Sequence, residues 1–298
     1  SSYARIYFSS NASSPVVENS WTITNTSSVT ITTLFQNIKY ADLSYYQMGE
    51  YPRIGKIGDN TFTQFKNLIS VILPWRRDFQ IGDYAFCGCG SLTRVYAYTN
   101  ANDVLSDEGL MYVSNVGVKA FMGTSIRCSK IGTDAQSLGT ISTQAFYGCT
   151  GITELTIDNV SKIDSLAFEN CSNLARLTFG DDVYAISSNA FKGCANLQAI
   201  HIGKNVPKYT FWNTIFPASL GALETITVSA YNANYLSTAT NCLVDKKDFT
   251  LYLGTNNSVI PNTVKIIGVD AFNGCSGLST INIPASVTEI RGNAFLNC

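Results

Sequence analysis

The chain repeats itself, and that repeat constrains its fold more than any other feature. Ile141, Ala145, Phe146, Cys149, Ile152, Leu155 and Ile157 set a frame, I-x-x-x-A-F-x-x-C-x-x-L-x-x-I-x-I. The frame returns as Ile163, Ala167, Phe168, Cys171, Leu174, Leu177, Phe179 and again as Ile186, Ala190, Phe191, Cys194, Leu197, Ile200, Ile202. From Ala145 to Ala167 is 22 residues, and from Ala167 to Ala190 is 23. Further copies begin at Ile81 and Ile267, and a final one begins at Ile290 and stops at Cys298. Weaker copies fill the gaps. Ile57 to Leu73 keeps the frame with Phe65 in the cysteine slot, and Val116 opens a copy whose second half is irregular. Val206 and Phe211 open another that is stretched before Leu223, Ile226 and Val228. Phe35 to Leu43 fits the second half of the frame, so repeats are expected from about Thr30. A period of this size is one turn of a solenoid.

The spacing predicts local structure. The I-x-I alternation has a period of two, so it reads as a short strand with its apolar residues turned inward. Successive strands are expected to stack in parallel into one sheet, with short helical or 3-10 turns on the return path. Phe62, Phe86, Phe121, Phe146, Phe168, Phe191, Phe272 and Phe295 should then form an aromatic spine. The alanine before most of them is small, as a chain turning tightly inward requires. No coil buries these residues alone; each depends on its neighbours.

Composition narrows the function classes. The chain is 45% hydrophobic and 14% charged, against roughly 25% charged in a typical soluble domain. Its surface must therefore lean on Ser, Thr, Asn and Gly. A net charge of −1 supplies no field to gather nucleic acid or an anionic membrane. No apolar run approaches the roughly 18 residues that span a bilayer. Ser1 reads as the start of a mature or trimmed chain, which is compatible with secretion.

Candidate chemistry is sparse. Of nine cysteines, Cys89, Cys149, Cys171, Cys194, Cys275 and Cys298 share one slot. Thr124 and Phe65 take the same slot elsewhere and can neither bridge nor ligate as thiolates. Buried free thiols are thus the favoured reading, with disulfides between adjacent coils as the alternative. Cys87-Gly-Cys89 is C-x-C rather than the C-x-x-C of zinc and redox sites, and no metal or cofactor is expected. His201, the single histidine, sits between inward Ile200 and Ile202 and should face outward. No nucleophile-elbow, H-E-x-x-H or P-loop pattern occurs. Asp107-Glu108 and Asp181-Asp182 fall in the first insertion and in a loop between repeats, with no opposed carboxylates suggesting a glycosidase. An enzyme is not expected.

The repeat resembles the BspA-like leucine-rich repeat of secreted and cell-surface proteins. Two long copies resemble that family's hairpin insertion. One runs Val228, Asn232, Tyr235, Cys242-Leu243-Val244-Asp245, Leu251-Tyr252, Ile260-Pro261, Val264, Ile267-Gly268, and Val95, Asn102, Gly109-Leu110-Met111-Tyr112 is a shortened version. The resemblance implies an α/β-class leucine-rich-repeat solenoid, β-rich, of right-handed coils of about 22–25 residues. It also implies surface display, protein adhesion in some members, and no catalytic residues. Residues 1–29 are expected to form an N-terminal β cap, with strands at Arg5–Phe8 and Trp21–Thr24. The solenoid should span 30–298, with insertions at about 99–115 and 229–262 and an incomplete last repeat.

A partner is expected on the outward strand positions. Over most coils these offer small hydroxyls. The N-terminal coils differ: Ile72, Trp75, Arg76, Arg77, Arg94, Tyr96 and Tyr98 cluster near the ends of two adjacent strands. Trp, Tyr and Arg are enriched at interface hot spots. The competing reading packs Trp75 and the tyrosines under the insertion at 99–115. A host or matrix protein is the favoured partner, with a glycan or a ligand-free stalk as alternatives.

Overall fold

The computed structural model describes residues 4–5, 39–42, 56–73, 79–98, 105–106, 109–110, 113–132, 139–209, 211–217, 220–236 and 239–298. It is a solenoid of stacked coils built almost entirely of short parallel strands. The front sheet holds the I-x-I strands in two hydrogen-bonded segments, Tyr40–Asp42, Ser70–Leu73 and Arg94–Tyr98 in one and Lys130–Ile131, Glu154–Ile157, Arg176–Phe179, Ala199–Ile202 and Thr225–Val228 in the other, with an isolated bridge from Arg94 to Arg127 between them. Register is kept from coil to coil, with Leu155 beside Leu177, then Ile200, then Ile226. Inward and outward residues alternate as expected: Val71, Leu73, Leu155, Ile157, Leu177 and Phe179 are buried, while Thr156 and Thr178 are half-buried on the outer face.

The single sheet expected from the sequence needs correction. A second parallel sheet runs along the return path through Lys56–Ile57, Phe79–Ile81, Val113–Val116, Gly139–Ile141, Val160–Ile163 and Ala185–Ile186. The first isoleucine of the frame is its inward residue; Ile81, Ile141 and Ile163 are buried. Helix is nearly absent. Among the described residues, Trp212–Thr214 is a 3-10 turn, and the A-F-x-x-C segments are hydrogen-bonded turns.

Those turns hold the coils together. Phe146 N donates to Ala167 O at 2.8 Å, and Phe168 N donates to Ala190 O at 2.8 Å. The fully buried alanines let the neighbouring backbone come this close. Each of these turns also contains two residues at positive φ, one before the alanine (Gln144, Leu166, Asn189) and one before the cysteine (Gly148, Asn170, Gly193). The second is Gly or Asn, as that conformation favours.

The phenylalanines stack as a spine. Phe146 and Phe168 lie 5.0 Å apart with planes 2° from parallel, and Phe168 and Phe191 repeat this at 5.0 Å and 3°. In the stretched copy the spine runs through Phe216, 5.3 Å from Phe191, whereas Phe211 is 51% exposed. The 3-10 turn pushes the A-F position to Ile215-Phe216, and Phe191 N donates to Ile215 O at 3.0 Å.

The second insertion divides the core. Leu243–Val244 and Thr250–Leu253 form an antiparallel hairpin, which continues in parallel through Ile266–Ile267 to Glu289–Ile290. Leu243, Tyr252 and Leu253 pack into the larger core, while Cys242, Val244 and Leu251 pack into a smaller one with Phe272 and Cys275. The hairpin is thus a wall between two cores. Gly254 occupies the phenylalanine slot here: its N donates to Ala271 O at 2.7 Å, and a Cβ on it would lie 2.0 Å from the Phe272 ring. A polar and aromatic staple ties the wall to the preceding coil. Tyr235 Oη accepts from Tyr209 N at 2.6 Å and from Trp212 Nε1 at 3.1 Å. Lys208 Nζ lies 2.8 Å from the buried Asp245 carboxylate, and that bond holds the ammonium pKa above its ordinary value.

The front strand expected at residues 281–283 is not formed. The front sheet ends at Thr225–Val228, so that segment has no strand to pair with. At the other end, Ala4–Arg5 joins the front sheet parallel to Tyr40–Asp42, and the expected strand at Trp21–Thr24 lies outside the described residues.

Candidate binding surface

The outer face of the front sheet carries two rows of side chains, each crossing the coils at one residue per strand. The first row includes Ser70, Arg94, Arg127, Glu154, Arg176, Ala199 and Thr225. The second includes Ile72, Tyr96, Lys130, Thr156, Thr178, His201 and Thr227. Register partners within a row lie about 4.8 Å apart at the backbone, and the rows break between the two segments, where Lys130 pairs with Gly109 rather than Tyr96.

Three of the residues expected from the sequence come together here. Ile72 and Tyr96 are register partners on adjacent strands, both half-buried, and Arg94 is two residues from Tyr96 on the same strand. The Arg94 guanidinium donates to Tyr96 Oη at 3.2 Å, which holds the two side chains side by side. Tyr98 pairs through its backbone with Leu105, as the first insertion folds back antiparallel onto the strand. Its side chain, together with Trp75, Arg76 and Arg77, lies outside the described residues.

The structure adds one residue that sequence reading missed. Arg127 is exposed and pairs with Arg94 through an isolated parallel bridge, its N donating to Thr93 O at 2.9 Å. The frame hides it by a shortening of one residue. Ile126, fully buried, fills the leucine slot two positions after Thr124 instead of three.

Elsewhere the face is quieter. Glu154 and Arg176, register partners in the first row, form an ion pair. His201 does face outward, with Nδ1 2.8 Å from Thr227 Oγ1 on the next strand. Partial burial lowers its pKa against the opposing pull of Asp181, so the imidazole is neutral at physiological pH. Asp181 Oδ1 accepts from Lys204 N, which leaves this His–Thr contact an ordinary surface hydrogen bond. The slot cysteines are thiols rather than disulfides, and all but the exposed Cys298 are buried. Cys89, Cys149, Cys171 and Cys194 donate to Phe62 O, Phe121 O, Phe146 O and Phe168 O at 3.0, 3.1, 3.2 and 3.3 Å. Among the described residues, no group of three or more His, Cys, Asp or Glu side chains could hold a metal ion.

The profile of the BspA type leucine rich repeat region matches in six copies, over residues 11–107, 111–238 and 244–298. The chain belongs to that family. The BspA-type solenoid is similar in structure to a leucine rich cell surface protein of Faecalibacterium prausnitzii, with 27% identity and a TM-score of 0.53. That alignment covers 88% of this chain and 68% of the other. A leucine-rich repeat protein of Eubacterium ventriosum aligns at 18% identity and TM-score 0.42, over 87% of this chain and 57% of that one. The pneumococcal vaccine antigen PcpA aligns at 17% and 0.43, over 87% and 54%. This BspA-type chain thus spans little more than half the length of the last two. Comparison with curated proteins finds no match.

Proposed function

We propose that this BspA-type solenoid is a non-catalytic, adhesin-like module that binds a protein partner through the N-terminal part of its front sheet. The observation that carries the reading is the Ile72–Tyr96–Arg94 cluster. An aliphatic, an aromatic and a guanidinium group stand together on the outer face of strands whose inward Val71, Leu73 and Val95 are buried. Contacts of this kind, on a rigid support, are what interface hot spots are made of. Trp75, Arg76, Arg77 and Tyr98 belong to the same patch in this reading, and residues 1–29 to a cap beside it. Secretion or display at the cell surface is supported by family membership and by the description of the Faecalibacterium relative as a cell surface protein. No helix among the described residues is long and apolar enough to cross a membrane.

The test is an array of extracellular-matrix proteins and glycans probed with the purified chain and with a Trp75→Ala/Tyr96→Ala variant. Saturable binding to a protein that the variant loses supports the reading. Binding to glycans alone would replace it with a lectin-like module, and a blank from well-folded protein would leave a spacer.

A further inference from the structure

In the regular coils the residue two positions before the spine phenylalanine stands at positive φ. Asn60, Asn189, Asp270 and Asn293 suit that conformation, which other L side chains enter only at a cost. The four consecutive coils between Asn60 and Asn189 hold Tyr84, Lys119, Gln144 and Leu166 instead, at φ 57, 53, 56 and 62. The backbone is not helped by these four, so the positions are held for their side chains. They form one stripe along the corner that leads from the back sheet to the front. A second stripe lies beside it, because Met122 N donates to Lys119 O at 3.2 Å and Tyr147 N to Gln144 O at 3.1 Å. Lys119 Nζ lies 5.6 Å from the centre of the Tyr84 ring, which orients the ring and still leaves the residue 36% exposed. Gln144 and Tyr147 are half-buried, and Asn170 Nδ2 donates to Tyr147 Oη at 3.4 Å.

We propose that the corner carrying Tyr84, Gln144 and Tyr147 is a second binding site, for an extended, uncharged β-1,4-linked glycan. The tyrosine rings offer faces on which the C–H face of a pyranose stacks, and the Gln144 and Asn170 amides offer donors and acceptors to its hydroxyls. Neighbouring coils here lie 5.0 to 5.2 Å apart, measured between spine rings. A β-1,4-linked chain advances by a similar length per sugar, so successive sugars meet successive coils. A peptide strand falls out of step, because side chains on one of its faces recur about every 6.6 Å. Lys119 is tucked over Tyr84, and Glu169 is paired with Lys192 at 2.9 Å, so the stripe presents no run of like charge to a sulfated chain. The site lies off the front face and does not depend on the reading of Ile72, Tyr96 and Arg94 as a protein-binding patch.

The experiment is isothermal titration calorimetry of the full chain with cellohexaose and chitohexaose, neutral β-1,4-linked probes without and with acetamido groups. Saturable binding of either is expected, weakened about tenfold or more by Tyr84→Asn and by Tyr147→Ala. Tyr84→Asn is the most informative variant, since it installs the residue type that the turn favours: affinity should fall while Tm does not. Tyr184→Ala removes a 46% exposed tyrosine from the opposite corner, between the front and back strands, and should leave sugar affinity unchanged. So should Trp75→Ala/Tyr96→Ala on the front face. No binding of either hexaose, or affinity kept in Tyr84→Asn, would overturn the site. A clear fall in Tm with Tyr84→Asn would also overturn it, by showing that the tyrosine serves packing against Lys119. Sugar binding lost in the Trp75/Tyr96 variant instead would move the site to the front face and replace the adhesin reading, whereas a blank with both hexaoses leaves that reading standing.

Discussion

Cys171 Sγ donates a hydrogen bond to the carbonyl oxygen of Phe146, one coil earlier, at 3.2 Å. The contact recurs along the solenoid at Cys89, Cys149 and Cys194, whereas Phe65 in the same slot has no side-chain donor to make it. Thr124, which replaces cysteine in one coil, donates instead within its own turn, to Phe121 O at 2.9 Å. Burial pushes the thiols of Cys89, Cys149, Cys194 and Cys275 up to about 12. At neutral pH their thiolate fraction is then about a thousandfold below that of an ordinary cysteine. Alkylation of the native protein, mapped by mass spectrometry, should mark exposed Cys298 and half-exposed Cys87 first and the buried slot thiols only after unfolding. Comparable rates at Cys87 and Cys149 would contradict this packing.

The same burial gives stability an alkaline limit. A thiol of the unfolded chain loses its proton near pH 9, whereas Cys149 in the fold keeps it to about 12. The folded state therefore binds more protons between those values. Its stability is intact below pH 9 and is lost as pH rises through the window, by up to about 1.4 kcal/mol per pH unit for this one group. Urea midpoints should be level from neutral pH to about 8.5 and fall beyond 9. A flat profile through pH 10.5 would be the wrong outcome.

The spine should be costly to interrupt. Phe168→Ala removes a ring stacked on two neighbours at 5.0 Å and should cost about 3–5 kcal/mol. Phe211→Ala, on an exposed ring outside the spine, should cost under about 0.5 kcal/mol. Chemical denaturation of the two variants side by side tests the reassignment of the spine to Phe216.

The turn geometry predicts an asymmetric pair of substitutions. Gly148 has φ +70 with no atom near a built Cβ, so Gly148→Ala meets only backbone strain and should lose about 1 kcal/mol. Leu166 has φ 62, where Asn189 and Asn293 stand in other coils. Leu166→Asn should therefore fall within about 0.5 kcal/mol of the parent chain or above it. Thermal melts decide; a large loss from Leu166→Asn would mean that its side-chain contacts outweigh the strain.

Because the hairpin separates two cores, damage on one side should stay there. Leu251 packs into the smaller core, and Leu251→Ala should cost about 2–4 kcal/mol. Hydrogen exchange should quicken over residues 260–298 while the coils from 141 to 202 keep their protection. Uniform acceleration along the chain would show that the staple at Tyr235 couples the two cores.

The seven-position frame by itself determined the coil, its inward residues and the order of stacking. In the copies that begin at Ile81, Ile141, Ile163, Ile186 and Ile267, the Ala, Phe and Cys are all buried where the frame puts them. Those positions answer to short-range geometry repeated at each turn. The strand ending at the first isoleucine was hidden, since one apolar residue shows no alternation to read. Gly254 in a phenylalanine slot, Phe216 in place of Phe211, and Arg127 opposite Arg94 were also decided only in three dimensions. In each case an insertion or a lost residue shifted the frame, and lateral pairing between coils restored the register. Part of the candidate site was legible as residue types on an outward row. Its like-charge pair was not, because which residues face each other across strands is fixed by hydrogen bonding between coils, not by spacing along the chain.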